Sequence, residues 1–148
     1  MFLGNFEHTI DVKGRTSVPA DYRKLLSEDR IVVTPAPGDD RCLHVYPLNA
    51  WQDFATKLAQ RSSSEPGVRQ IYRTYVAQAA AIEIDKLGRI LLPPKLRQWA
   101  GLEKDVVWVG QLNRMELWEP ERWEQVELAA NDPVHQGDVD RVKIELGL

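Results

Sequence analysis

The sequence predicts an α+β fold that is mainly β, built from two repeats in one chain with helices between and after them. Three observations predict it. A short motif occurs twice, 74 residues apart, which indicates a duplicated unit. Short segments rich in β-branched and aromatic residues surround a glycine turn in each copy, as paired strands do. The segments between and after the copies space their apolar residues as amphipathic helices do.

The repeated motif spans residues 11–23 and residues 85–97. Aligned without gaps, the two copies share Asp, Gly, Arg, Pro and Arg at identical offsets. The segments that follow also correspond, since Leu43-His-Val-Tyr46 with Trp51 parallels Met115-Glu-Leu-Trp118 with Trp123. One repeat of about 70 residues buries little apolar surface by itself, so we expect the two repeats to share a core.

Four strands are predicted in each repeat. Gly14 and Gly88 mark a tight turn after the first strand, because glycine readily adopts a positive φ. Pro19 and Pro93 end the second strand, because proline has no backbone N–H to donate. The predicted strands are 6–10, 16–18, 31–34 and 42–46 in the first repeat, and 80–84, 90–92, 106–109 and 114–118 in the second.

Helices are predicted within, between and after the repeats. They comprise short turns at 20–26 and 94–100, amphipathic helices at 51–59 and 68–79, and a last helix from 120 to about 130. The tail beyond Asn131 is acidic and poor in aromatic residues, so we expect it to be loosely ordered. The predicted organisation is a first repeat at 1–50, a helical connection at 51–79, a second repeat at 80–119, and a C-terminal helix with an acidic tail at 120–148.

Charge is distributed unevenly along the 148 residues, whose net charge is −3. Residues 11–24 carry four bases and two acids, and residues 85–97 carry four bases and one acid, so both motif copies are positive. Residues 119–148 carry eight acids and three bases. A local positive field matters more to a polyanionic partner than the total charge does. Cys42 is the only cysteine, which excludes an intramolecular disulfide and favours a reducing, cytoplasmic location.

A family resemblance follows from these motifs. Asp-x-x-Gly-Arg, followed by Pro and Arg on a strand–turn–strand, resembles the swapped-hairpin β-barrel of AbrB/SpoVT-type regulators and MazE-type antitoxins. Two tandem copies with intervening helices resemble the MraZ family of bacterial regulators. Companion segments at 1–4, 46–48, 109–113 and 116–118 also resemble that family, so the likeness extends from Met1 to about Ala130.

The resemblance implies both a fold and a function. The implied fold is a tandem swapped-hairpin barrel, in which hairpins from the two repeats interleave. The implied function is transcriptional regulation, usually repression, of the protein's own division and cell-wall operon. The implied partners are double-stranded DNA with short tandem promoter repeats and further copies of the chain in a closed ring. We therefore expect a cytoplasmic, nucleoid-associated protein with no cofactor, no membrane partner and no small-molecule substrate.

The candidate DNA-binding residues are the bases of the two motif copies. Arginine suits a rigid turn because its planar fork binds guanine or phosphate in bidentate fashion. The set is Lys13, Arg15, Arg23, Lys24, Lys86 and Arg89, with Lys95 and Arg97 as further phosphate contacts. Because the second copy lacks the lysine directly before glycine, we expect the first copy to read DNA and the second to contribute less.

Four further motif residues are predicted to shape the turns. Asp11 and Asp85 are expected to hold the arginine or the turn amides, while Gly14 and Gly88 supply the turn conformation. An alternative remains open, in which each Asp–Arg pair is only a salt bridge that fixes the turn. Arg23 and Arg97 have alternatives too, as ion-pair partners of Asp21 and Glu103.

Other functional classes find less support in the sequence. The five tryptophans are spaced for core packing rather than for a stacking platform. The histidines, His8, His44 and His135, lack metal-ligand spacing with one another and with Cys42, so no metal site is expected. Acids that include Glu116 and Glu119 are interpreted as a solvated face. No catalytic set assembles, which argues against an enzyme. An antitoxin-like module that binds a protein partner through 119–148 stays open as an alternative function.

Overall fold

A computed structural model describes the whole chain, residues 1–148. It has the α+β architecture predicted from the sequence, and six of its eight strands form one large antiparallel sheet. The strands are β1 Asn5–Thr9, β2 Arg15–Ser17, β3 Arg30–Pro35, β4 Leu43–Pro47, β5 Ala80–Glu83, β6 Arg89–Leu91, β7 Asp105–Gly110 and β8 Met115–Trp118. The helices are α1 Ala20–Arg23, α2 Leu48–Ala59, α3 Val68–Ile71, α4 Pro94–Ala100, α5 Pro120–Ala129 and α6 Pro133–Leu146, and a π-helical turn, Tyr72–Val76, continues α3.

Strands of the two repeats alternate in the large sheet, whose order is β1-β7-β8-β4-β3-β5. The first strand of each repeat pairs with the third strand of the other, so β1 lies beside β7 and β5 lies beside β3. The two fourth strands meet at the centre, where His44 lies opposite Glu116. If each strand is replaced by its equivalent in the other repeat and the sheet is read from the opposite edge, the strand order is unchanged. The fold therefore has a pseudo-two-fold axis between β4 and β8.

The second strands, β2 and β6, form a separate two-stranded antiparallel ladder. In this ladder Arg15 lies opposite Leu91, Thr16 opposite Ile90, and Ser17 opposite Arg89. Within the first repeat, β1 and β2 are joined only by an isolated bridge between Ile10 and Thr16 rather than by a regular ladder. The strands before and after each glycine turn therefore pair mainly with strands of the other repeat.

The edge strands β1 and β5 are not paired with each other, so no closed barrel is found. The closed swapped-hairpin barrel that the family resemblance implies is thus not confirmed. What the two repeats do share is one core cluster of 18 buried residues. Trp108, Ile31 and Leu117 lie fully buried within it. This arrangement agrees with the expectation that a single repeat buries too little apolar surface to stand alone.

Two helical segments differ from the prediction. The helix predicted over 68–79 leaves α-helical geometry after Ile71, and the Ala77 N–H donates to the Tyr72 carbonyl in the i to i+5 pattern of a π-helix. The tail predicted to be loosely ordered instead forms α6, which begins where the Asp132 carboxylate accepts from the Val134 N–H. That helix buries none of its residues. No helical segment combines the length and the hydropathy that a membrane span requires.

Candidate nucleic-acid interface

The Asp11 side chain organises the first repeated turn. Its Oδ1 accepts from the backbone N–H groups of Lys13 and Arg15, at 3.0 and 2.9 Å. Its Oδ2 accepts from the Arg15 Nε at 2.7 Å. The Gly14 N–H donates to the Asp11 carbonyl at 3.0 Å, and Gly14 has a φ of +91° that a side chain would strain. Three N–H groups converging on one carboxylate fix the turn and orient its arginine.

The second turn repeats this geometry. Asp85 Oδ1 accepts from the Leu87 and Arg89 N–H groups, each at 2.9 Å, and Oδ2 accepts from the Arg89 Nε at 2.9 Å. Gly88 has a φ of +77°. The second turn has Lys86-Leu87 where the first has Val12-Lys13. This difference leaves the backbone geometry of the turn unchanged and alters only the side chains at its tip.

Both aspartates have a lowered pKa. For Asp11 the largest cause is the backbone N–H of Arg15, and for Asp85 it is the backbone N–H of Arg89. Each carboxylate is therefore charged at neutral pH and holds a charged guanidinium at its side.

Each motif arginine forms side-chain hydrogen bonds within the chain only through its Nε–H group. Arg15 and Arg89 donate from Nε to their aspartates, and neither Nη group of either residue hydrogen-bonds within the chain. Both side chains are about one-third exposed, at 31% for Arg15 and 29% for Arg89. The salt bridge and a role in binding are therefore compatible, because the Nη fork stays available for a bidentate acceptor.

The β2–β6 ladder places both arginines on one face. Thr16 and Ile90 are buried, so strand alternation turns Arg15 and Arg89 to the outer side. Because Arg89 lies opposite Ser17, the two arginines are offset by two residues along adjacent strands. Strand geometry then puts their Cα atoms about 8 Å apart. One duplex is wide enough to contact both.

Arg23 and Arg97 cross between the repeats, and neither takes the alternative role of an ion-pair partner of Asp21 or Glu103. The guanidinium of Arg23 lies against Gly88, and that of Arg97 lies against Gly14. Neither forms an ion pair. Arg97 also donates from Nε to the Leu92 carbonyl at 3.2 Å. Each turn is therefore flanked by a cation of the opposite repeat, which sequence spacing does not reveal.

Three of the candidate lysines are exposed. Lys13 and Lys86 are exposed at the two turn tips, next to the exposed apolar residues Val12 and Leu87. Lys24 is also exposed and lies 3.9 Å from Asp21, so it is the base that pairs with that acid. We define the outer face as Lys13, Arg15, Arg23, Lys86, Arg89 and Arg97.

One cluster outside the outer face was missed from the sequence. Glu116, interpreted as solvated, has a side chain only 13% exposed and lies near His44 and Cys42. Burial raises its pKa, and a hydrogen bond from the Trp118 indole partly opposes this rise. The signal available in the sequence was the repeat alignment itself, which makes Glu116 the equivalent of His44.

A family model described as "MraZ protein, putative antitoxin-like" matches the chain twice, over residues 1–74 and 75–143. The chain belongs to the MraZ family. It is 44% identical over 131 residues to the transcriptional regulator MraZ of Thermomicrobium roseum, covering 88% of this chain and 90% of that relative. It is 47% identical over 124 residues to the transcriptional regulator MraZ of Lachnoclostridium phytofermentans, covering 84% of this chain and 85% of that relative.

The family assignment that the repeated motifs predicted is thus confirmed. Each of the two MraZ matches contains one complete Asp-x-x-Gly-Arg turn with its flanking strands. These relatives are named as transcriptional regulators. The MraZ assignment therefore places the chain in a family whose named relatives regulate transcription.

Proposed function

We propose that this chain is a sequence-specific DNA-binding transcriptional regulator, and that the outer face contacts duplex DNA. The observation that carries the proposal is the pair of Arg15 and Arg89, whose Nη groups stand on one face of the β2–β6 ladder without partners in the chain. Carboxylates hold both guanidinium groups in place beforehand, so little side-chain freedom is lost on binding.

The residues of the outer face, together with Lys24, have three roles. Arg15 reads a base edge, because a fixed guanidinium matches the O6 and N7 acceptors of guanine in the major groove. Arg89 contributes less, since the tip beside it carries Leu87 where the first turn carries Lys13. Lys13, Lys86 and Lys24 contact phosphates, which supply affinity but carry no sequence information.

Arg23 and Arg97 couple the two repeats at the interface. Because each lies against the glycine of the opposite turn, each supports a surface to which both repeats contribute. The proposed functional organisation follows this arrangement, with repeats at 1–50 and 80–119 that together form one swapped-hairpin DNA-reading unit. The segments 51–79 and 120–148 flank that unit.

The biological role that we propose is repression of the protein's own division and cell-wall operon at short tandem repeats. The support is membership of a family whose relatives are named as transcriptional regulators. A single chain offers two turns on a small face, so specific affinity requires several chains on adjacent repeats, which a ring-shaped homo-oligomer supplies. The protein then acts at the nucleoid in the cytoplasm and needs no cofactor or small-molecule substrate.

A second candidate is an antitoxin-like module that binds a protein partner. The observation that favours it is α6, an ordered helix that buries none of its residues and leaves Val134, Ile144 and Leu146 exposed. In this function the segment 119–148 would carry the binding energy and the outer face would be dispensable.

The decisive experiment is a binding titration with DNA from immediately upstream of the protein's own gene. The control is a duplex of equal length and composition with the sequence shuffled. We expect tighter binding to the upstream DNA, and a linear fall of log K with log salt between 50 and 200 mM, because cations of the outer face release counterions from the phosphates. Equal affinity for both duplexes, or affinity that does not change with salt, would contradict the proposal.

The oligomeric state needs a separate measurement. Light scattering should detect a species several times heavier than the 16.9 kDa chain. A chain that stays monomeric at micromolar concentration and still binds the upstream DNA tightly would exclude the ring without excluding DNA binding.

A further inference from the structure

A cluster of potential metal ligands lies at the centre of the large sheet, on the pseudo-two-fold axis. His44 on β4 and Glu116 on β8 are directly opposite each other. Cys42 precedes His44 by two residues, so strand alternation places both on the same side of the sheet. The Cys42 sulfur, a His44 ring nitrogen and a Glu116 oxygen all lie within 4.8 Å of one another.

The distance between His44 and Glu116 fits a shared ion better than a hydrogen bond. His44 Nε2 and Glu116 Oε1 are 3.7 Å apart, which exceeds the range of a hydrogen bond. Two nitrogen or oxygen ligands of a tetrahedral zinc ion, each about 2.0–2.1 Å from the metal, are separated by about 3.4 Å. Small side-chain movements would therefore bring both atoms into the coordination sphere.

Neighbouring groups hold the two ligands in orientation. The Tyr75 hydroxyl is 2.6 Å from His44 Nδ1, so Nε2 is the ring nitrogen that faces Glu116. The Trp118 Nε1–H donates to Glu116 Oε2 at 2.7 Å, which directs Oε1 towards His44. Metal-binding histidines and carboxylates usually have such outer partners, which fix the ring orientation and the coordinating oxygen.

Burial and charge also suit a divalent cation. Cys42 is fully buried and His44 is 7% exposed, while the Glu116 side chain gives limited access from solvent. A thiolate and a carboxylate would balance the two positive charges of the ion.

We propose that Cys42, His44 and Glu116 form a binding site for Zn²⁺, with the fourth position open to water. Cysteine, histidine and carboxylate are the ligand types that zinc takes in proteins. Binding converts the Cys42 thiol to a thiolate and releases its proton to solvent. Because Cys42 and His44 belong to the first repeat and Glu116 to the second, the ion would link the repeats, and this role is independent of the proposed DNA contacts.

The test uses the full-length protein, stripped with a chelator and kept reduced. Titration with Co²⁺ should give thiolate-to-metal charge-transfer absorption in the near ultraviolet and saturate near one ion per chain. Zn²⁺ should then displace the Co²⁺ and raise the melting temperature of the metal-free protein, because an ion that binds only the folded state stabilises it. Absence of the charge-transfer absorption in the folded wild-type protein would overturn the proposal without any need for variants.

Matched variants identify the ligands. Cys42→Ser should remove the charge-transfer absorption, and His44→Gln and Glu116→Gln should each weaken Zn²⁺ binding by at least about tenfold. His8→Gln and His135→Gln are the controls, since both histidines lie outside the cluster, and neither should change the affinity. If the controls weaken binding as much as the cluster variants do, zinc binds elsewhere and the proposed site is wrong.

Discussion

The guanidinium of Arg23 lies against Gly88, the turn glycine of the opposite repeat. The same relationship joins Arg97 to Gly14. Two backbone hydrogen bonds reinforce this contact between the repeats. The Val18 N–H donates to the Gly88 carbonyl at 2.9 Å, and the Leu92 N–H donates to the Gly14 carbonyl at 3.0 Å. Each turn therefore depends on the other repeat for part of its surroundings, and changes in one repeat should affect the binding surface of the other.

Replacing Gly88 tests this dependence. A methyl group at Gly88 would overlap the Arg23 side chain, whose flexible end can move away. We expect Gly88→Ala to lower the free energy of unfolding by about 1–2 kcal/mol, because its φ of +77° is unfavourable for alanine. We also expect weaker DNA binding, because the displaced arginine leaves the outer face. Chemical denaturation and anisotropy titration measure the two effects.

Gly38→Ala is the matched control for that experiment. Gly38 has a φ of +80°, but an added methyl group would meet nothing within 4 Å. It should lose similar stability and keep full DNA affinity. The double variant Gly88→Ala/Arg23→Ala should bind no worse than Arg23→Ala alone, since both changes remove the same contact. Additive losses would show that Gly88 and Arg23 act independently.

Arg15→Ala separates DNA reading from folding. Removing this ion pair, whose side chains are one-third exposed, should change stability little, because the Asp11 carboxylate keeps its two backbone donors. Affinity for the upstream DNA should fall by about 1–3 kcal/mol for each chain engaged, the value of a bidentate base contact. Arg89→Ala should lose less affinity. Melting curves and binding isotherms give both quantities.

The control for Arg15→Ala is Arg61→Ala. Arg61 forms an exposed salt bridge with Glu65 at the same i, i+4 spacing, but it lies in the helical connection. Its removal should leave DNA affinity unchanged. If Arg15→Ala binds normally, or if it unfolds while Asp11→Ala shows the same loss of stability, the Asp–Arg pair is only structural.

Acid should weaken the turns in a defined direction. The pKa values of Asp11 and Asp85 are lowered in the folded chain, so their contribution to stability is complete above the ordinary aspartate pKa of 3.8. It disappears as the pH falls through the lowered folded values. Asp11→Asn/Asp85→Asn should therefore be less stable than the wild type at pH 7 and should differ from it less at about pH 2–3. Urea denaturation across this range measures the difference, and a constant gap would contradict the assignment.

Removal of residues 133–148 tests the acidic tail. Because α6 buries no residue, its deletion should change the free energy of unfolding by less than about 0.5 kcal/mol and leave DNA affinity intact. Trp123→Ala is the comparison, since its ring packs 5.7 Å from that of Trp118, and it should cost about 1–3 kcal/mol. Unchanged DNA binding together with loss of a protein partner would favour the antitoxin-like function.

Local signals predicted the elements well. The glycine turns and the strands around them lie within one or two residues of their predicted positions, because positive φ and short apolar runs are properties of a few adjacent residues. The helix α4 was predicted at its observed bounds, between Pro94 and Gly101, since proline starts and glycine ends helices by local geometry.

Long-range contacts account for what the sequence did not reveal. The π-helical turn forms where Thr34 donates to the Tyr75 carbonyl and the Tyr75 hydroxyl contacts His44, and these partners lie more than 30 residues away. Glu116 was interpreted as solvated because the sequence shows its charge but does not show that it lies opposite His44 in the sheet. The crossing of Arg23 to Gly88 likewise depends on how two repeats pack. The contacts of Tyr75 and the crossing of Arg23 have no signature in residue spacing, whereas the equivalence of Glu116 and His44 is visible only in the repeat alignment.

Covalent fusion of the repeats removes a constraint that a dimer of identical chains would face. In such a dimer every change in one turn is copied in the other, and the surface shares the symmetry of a palindromic site. Here the tips differ, with Val12-Lys13 on one and Lys86-Leu87 on the other, although the ladder between them stays pseudo-symmetric. The surface therefore lacks exact two-fold symmetry, and a row of such units on the proposed DNA site would have a defined direction along the duplex.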